Sequence, residues 1–232
     1  MGLTGKVYLV GAGPGDAGLL TLRGAELLRR ADVVVYDSLV NRELLALAPE
    51  AAEVIFGGKR PSDRAIPQEE LNQLLAEKAG AGKTVVRLKG GDPYIFGRGG
   101  EEAAGLHRDG VPFEVVPGIS SIIAAPSYAG IPLTHRDHCS SFTVITGHED
   151  PGKEESALDW ERIAREPGTK VFLMGVERIG KIAAALEANG LDAGTPVAMV
   201  RWGTMGRQKT ITGTLATIAD EVAMADFKAP AV

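Results

Sequence analysis

The sequence holds one cysteine, Cys139, in 232 residues. A lone thiol excludes an intrachain disulfide framework and fits a reducing compartment. No stretch is long and apolar enough to span a bilayer, and the first residues lack a secretory pattern, so cytoplasm is the expected location. An excess of basic charge is also missing. Thirty Asp and Glu against 25 Lys and Arg leave a net charge of -5, which gives a nucleic-acid partner no support. A local basic pocket for an acidic small molecule stays open. There is no internal repeat and no low-complexity tract. Glycine is what abounds, with 30 residues, and it favours tight turns over long helices. A hydrophobic content of 44% suffices for a core, in one large or two small domains.

Several motifs are recognisable by the residue they lack. Gly11-Ala12-Gly13-Pro14-Gly15-Asp16 follows the apolar run at 7–10. Such a strand exit exposes backbone N–H groups and keeps side chains out of the way of a nucleotide-like ligand. A dinucleotide fingerprint needs glycine where Asp16 stands, and Pro14 removes a donor. Asp37, just after the run at 33–36, does stand where a ribose-binding acid would, so the nicotinamide reading loses the glycine and keeps the acid. Gly80-Ala81-Gly82-Lys83-Thr84 ends like a phosphate loop. There, Glu77 occupies the leading-glycine position and a helix precedes a strand, so a helix C-cap is the simpler reading. A second glycine–acid turn, Lys89-Gly90-Gly91-Asp92-Pro93, again follows an apolar run. Two such turns suggest one ligand held by backbone from two sides. His135, His138 and Cys139 lack a second ligand pair, and no metal is expected there.

Apolar runs alternate with helical patterns through the first half. Strands are expected at 7–10, 33–36, 54–56, 85–88 and 113–116, and helices at 22–30, 42–47, 68–79 and 101–108. This alternation predicts a mostly parallel sheet with helices on its faces. Near Pro117-Gly118 the rhythm changes. A helix is expected over 119–130, then strands at 141–146, 170–174, 197–202 and 208–212, with a hairpin turn at Gly203-Thr204-Met205-Gly206. The expected domains are 1–117, with the parallel sheet, and 118–232, α/β with a mixed sheet. The polar segment 149–157 reads as an exposed loop.

Taken together, the motifs resemble the uroporphyrinogen-III C-methyltransferases of the tetrapyrrole methyltransferase family. The resemblance runs through Val-Gly-Ala-Gly-Pro-Gly-Asp (10–16), Val-Val-Tyr-Asp (34–37) and Gly-Lys-Arg (58–60). It continues with Val-Arg-Leu-Lys-Gly-Gly-Asp-Pro (86–93), Phe-Gly-Arg-Gly-Gly-Glu-Glu (96–102) and Val-Val-Pro-Gly-Ile (115–119). Gly-Ile-Pro-Leu-Thr-His-Arg (130–136), Thr-Gly-His (146–148) and Met-Gly (174–175) complete it. Each motif alone is weak; the ordered sum is specific. It implies two α/β domains, an active site in the cleft between them, and a homodimer. Arg201-Trp202-Gly203-Thr204 departs from relatives that have an acid and an asparagine before Gly-Thr. Ser120-Ser121 replaces Thr plus a small residue. Relatives carry a further apolar strand past 229–232, so the second domain is expected to lack its last strand, and the Arg-Trp-Gly-Thr wording is similar to that of relatives fused to uroporphyrinogen-III synthase.

The implied activity is methylation of uroporphyrinogen III by S-adenosylmethionine at two ring carbons, through precorrin-1 to precorrin-2, without metal. The resemblance assigns Asp37 as proton acceptor and Lys59 as proton donor. It places Pro14, Gly90, Gly91, Asp92, Ile95, Ser120, Ser121, Met174 and Gly203 around adenosylmethionine. The residues themselves agree for Gly90 to Asp92, since an acid at a strand exit can take ribose hydroxyls or an amine, while Ile95 and Met174 can equally flank adenine or pack in a core. Arg60, Arg64 and Arg136 are expected to meet the carboxylates of the tetrapyrrole. Arg23 and Arg98 are further candidates that could instead serve structural carboxylates. Glu101 and Glu102 suit a helix N-terminus.

Overall fold

A computed structural model describes residues 5–58, 66–148 and 158–232. The chain divides into two compact units, 1–120 and 121–232. The first contains β1 (Lys6–Gly11), α1 (Leu22–Arg29), β2 (Val33–Tyr36), β3 (Glu53–Phe56), α2 (Gln68–Gly80), β4 (Thr84–Lys89), α3 (Gly99–Arg108) and β5 (Phe113–Val116). The strands pair in the order β3-β2-β4-β1-β5, all parallel. Residue 42–47, expected to be a helix, is a 3-10 segment capped by the Asn41 side chain on the Glu43 N–H.

A parallel sheet covered on both faces needs strands that are apolar throughout. The valines of β2 meet that need, and all three are buried. Alternation then sorts the side chains. Val10, Val34, Val86 and Leu88 pack with Leu27 and Leu28 of α1 on one face. Val7, Leu9, Val33, Val35 and Val85 pack with Leu71 and Leu75 of α2 and Leu106 of α3 on the other.

The chain leaves β1 toward β2 on one side and leaves β4 toward β5 on the other. The strand order therefore reverses between β1 and β4, which is where open α/β sheets bind ligands. Both glycine turns lie there, and they bond to each other. Gly13 N–H donates to Gly91 O at 3.2 Å, and Gly91 N–H donates to Gly13 O at 2.7 Å. Gly118, after β5, presses on the same spot: a Cβ on it would lie 2.7 Å from the Gly11 Cα and would collide with Gly91 O. Asp92 ties the exits of β4 and β5, its Oδ1 accepting from Tyr94 N–H at 2.8 Å and its Oδ2 from Gly118 N–H at 3.0 Å.

The second unit contains α4 (Ser121–Tyr128), β6 (Phe142–Thr146), α5 (Trp160–Arg165), β7 (Thr169–Leu173), α6 (Ile179–Ala188), β8 (Pro196–Arg201), β9 (Lys209–Thr214) and α7 (Ile218–Met224). β6 and β7 pair in parallel, and β8 and β9 form the antiparallel hairpin expected at Gly203-Thr204-Met205-Gly206. Among the described residues these are two separate two-stranded ladders, not the single mixed sheet expected from the sequence. Val232 exchanges both backbone bonds with Val200 of β8, at 2.8 and 3.0 Å. The core of this unit gathers Ile145, Ile182, Leu186, Met199, Ile218 and Phe227. No helix among the described residues is long and apolar enough to cross a membrane. The segment 149–157 lies outside the described residues.

The backbone contact at the strand reversal generates a stability expectation. Gly118→Ala forces a methyl into the Gly11–Gly91 contact, and overpacking of this kind costs about 1–3 kcal/mol. Urea unfolding should show that loss, and an unchanged midpoint would contradict the packing described.

Candidate active site

Asp37 is placed at the carboxyl end of β2 by the pairing of that strand with β4. Its N–H donates to Leu88 O at 3.3 Å. Two cations on the same face of β4, Arg87 and Lys89, reach it. Arg87 Nη2 donates to Asp37 Oδ1 at 2.6 Å, and Lys89 Nζ stands 3.9 Å from Asp37 Oδ2. Behind them, Glu102 projects inward from the first turn of α3. Its Oε1 accepts from Arg87 Nε at 3.1 Å and from Lys89 Nζ at 2.8 Å. Glu102 is fully buried, and Arg87 and Lys89 are 3% and 2% exposed, whereas 27% of the Asp37 side chain is open. The four groups hold two positive and two negative charges, and only Asp37 reaches outward.

This cluster was not read from the sequence, where Glu102 passes for a helix N-terminal acid. The available signal was the pair of cations two residues apart in an otherwise apolar strand. Buried cations on a central strand require anions. Burial pushes the Lys89 ammonium below its ordinary value, and the charge of Arg87 adds to that, against the opposing pull of Glu102 and Asp37.

The remaining residues singled out by the sequence fall into three groups. Pro14, Gly90, Gly91, Asp92 and Ser120 cluster at the strand exits of the first unit, with Ile95 nearby in the loop that leads to α3. Ile95 is 40% exposed, so it is not a core residue. In the second unit, Ser121 opens α4, and Met174 follows β7 with 49% exposure. Gly203 sits in the β8–β9 turn, where a Cβ would lie 2.5 Å from the Cβ of Ala125 on α4. Lys59, Arg60 and Arg64 lie outside the described residues.

Backbone strain marks the same places. Six non-glycine residues among those described have left-handed φ, and five of them are Phe96, Arg98, Met174, Trp202 and Thr204. These are Met174 itself and residues beside or close to Ile95 and Gly203. Such conformations persist where surrounding structure enforces them, and they gather at ligand sites.

Arg23 and Arg98 have structural partners. Arg23 bonds Glu26 at 3.0 Å and Glu114 at 3.3 Å on the surface. Arg98 grips Glu101 with two bonds, at 3.0 and 2.6 Å. Arg136 is exposed and lines a shallow cavity of about 320 Å³ with His138, Cys139 and Pro167. No three His, Cys, Asp or Glu side chains among the described residues converge as metal ligands.

The depressed Lys89 has a consequence for stability. Between its native pKa and its ordinary value of 10.5, the unfolded chain binds more protons than the folded one. Stability contributed by this site therefore rises with pH across that window. The unfolding free energy of the protein minus that of Lys89→Met should climb as pH approaches 10.5. A flat difference would contradict the burial of a charged ammonium.

Comparison with known proteins places the chain in a family. The profile of the Tetrapyrrole (Corrin/Porphyrin) Methylases matches residues 6–219. The S-adenosyl-L-methionine-dependent uroporphyrinogen III methyltransferase of Methanosarcina barkeri is 53% identical over 98% of this chain and 89% of that protein. Siroheme synthase 1 of Klebsiella pneumoniae is 52% identical over 91% of this chain, which spans 45% of that longer protein. Among solved structures, uroporphyrin-III C-methyl transferase from Thermus thermophilus, complexed with S-adenyl homocysteine, gives a TM-score of 0.82 at 42% identity, covering 98% of this chain and 90% of that one. This chain belongs to the tetrapyrrole methylase family.

Proposed function

We propose that the protein methylates uroporphyrinogen III at two ring carbons, with S-adenosylmethionine as donor, giving precorrin-2 through precorrin-1. The observation that carries this reading is the match to the Methanosarcina enzyme over 98% of this chain and 89% of that protein, at 53% identity. The site residues suit the donor. In the first unit, the glycine turns at the strand reversal form a surface without side chains and Ile95 is exposed; in the second, Met174 is exposed and has a left-handed backbone.

In the first unit, Pro14, Gly90, Gly91, Asp92, Ile95 and Ser120 are the proposed adenosylmethionine contacts. In the second, they are Ser121, Met174 and Gly203. Asp92 has a structural duty as well, since each of its oxygens already accepts a backbone N–H. Bound adenosylmethionine supplies a methyl group already activated by its positive sulfur. The protein's own part is to orient the pyrrole carbon, exclude water and manage protons. Asp37 is the proposed proton acceptor. Arg87 fixes one of its oxygens at 2.6 Å, and its open side reaches outward. Lys59 is the proposed proton donor, with Arg60, Arg64 and Arg136 meeting substrate carboxylates. A homodimer located in the cytoplasm is part of the same proposal.

Anaerobic incubation with adenosylmethionine and uroporphyrinogen III should give a product heavier by two methyl groups, and an unchanged substrate mass would overturn the reading. Asp37→Asn keeps the shape of the acid and loses its basicity. It should bind adenosylhomocysteine normally and turn over about 10²–10⁴ slower in a single turnover. A wild-type single-turnover rate would remove Asp37 as the proton acceptor. Light scattering should give about twice the chain mass, and a fully active monomer would exclude the dimer.

A further inference from the structure

We propose that Glu102 is a positioning residue for methyl transfer: acting through Arg87 and Lys89, it fixes the orientation and the charge balance of the Asp37 carboxylate. The proposal rests on the assignment of Asp37 as proton acceptor. Glu102 is fully buried and touches neither solvent nor Asp37 directly. One of its oxygens, Oε1, takes both cations. Arg87 is thereby gripped at both ends of its guanidinium, Nε on Glu102 and Nη2 on Asp37. A planar fork held at two points cannot swing, so it delivers the Asp37 carboxylate in one orientation.

The charge count points the same way. With Glu102 ionised, the two cations are matched only while Asp37 is also ionised. A proton arriving on Asp37 leaves a buried positive excess. Glu102 thus sets how readily Asp37 exchanges a proton, because it competes with Asp37 for the same two cations. Packing alone does not account for this acid. Its other oxygen, Oε2, is buried and has no hydrogen-bond partner among the described residues. Its part is electrostatic: an apolar side chain there would leave the two buried cations facing Asp37 as their one carboxylate partner among the described residues. Among the described residues, the other charged groups near the cluster are Arg98 and Glu101 at the start of α3, which pair with each other. α2 faces the cluster with uncharged Gln68 and Asn72.

The test is the pH dependence of the single-turnover rate with uroporphyrinogen III and adenosylmethionine in three variants. Asp37→Asn identifies the acid limb that belongs to Asp37, by slowing turnover and abolishing that limb. Glu102→Gln removes the competing anion, so the limb should move to lower pH by about one unit. Lys89→Met removes a cation, so the limb should move the opposite way by a similar amount. Adenosylhomocysteine affinity should stay at the wild-type value in both. Shifts of opposite sign support the proposal; a residue serving stability alone would lower the folded fraction and leave the limb in place. A folded Glu102→Gln or Lys89→Met protein with an unmoved limb, or shifts of the same sign, overturns it. Should Glu102→Gln fail to fold, the shift in Lys89→Met decides alone. A wild-type rate in Asp37→Asn would overturn the Asp37 assignment and this proposal with it. A slow Asp37→Asn with unmoved limbs in the other variants overturns this proposal only.

Discussion

Two cations buried on the central strand of a parallel sheet impose a requirement on everything around them. Arg87 and Lys89 occupy consecutive same-face positions at the end of β4, where Val85 continues the same face as ordinary core. Desolvating them without anions is prohibitive, and removing one partner from a buried pair costs about 3–5 kcal/mol. The fold answers with Glu102 from α3 and Asp37 from β2. The first helical turn after the Asp92–Arg98 loop must therefore dock against the sheet, and β2 must end where it does. Asp37, the proposed proton acceptor, is thus held by the same contacts that make burial of the cations tolerable.

The second constraint is steric. Three chain segments, after β1, β4 and β5, converge where the strand order reverses, and they touch backbone to backbone. Side chains would hold them apart. The glycines at these exits bring the segments together, and Asp92 clamps two of them. The pair of turns does not simply offer free N–H groups to a ligand, because Gly13 and Gly91 bond each other. What they supply is a floor without side chains at the position where this sheet type binds its ligands.

The first unit was largely legible because its signals are strong. The valine run of β2 and the apolar runs of β4 and β5 could be little else than buried parallel strands, and their observed bounds differ from the expected ones by at most a residue. The second unit was less so. α5 and α7, of six and seven residues, span too few turns to establish a period. α6 does carry helical spacing in Ile182, Ala183 and Leu186, a signal that went unread. That Asp37 and the glycine turns stand at strand exits was visible from sequence because strand exits are local features. The role of Glu102 was not, because helix propensity cannot distinguish an acid that faces water from one turned inward onto Arg87. Only the alternation of charge at 87 and 89 could have asked for it.

The most direct test is a crystal structure of the protein with adenosylhomocysteine and a uroporphyrinogen-like octacarboxylate bound. The account predicts the reacting edge of the macrocycle about 3–3.5 Å from the outward oxygen of Asp37. It also predicts that the Arg87 bridge between Asp37 and Glu102 is unbroken. A macrocycle seated away from Asp37, or an Arg87 withdrawn from it onto the substrate, would contradict the account.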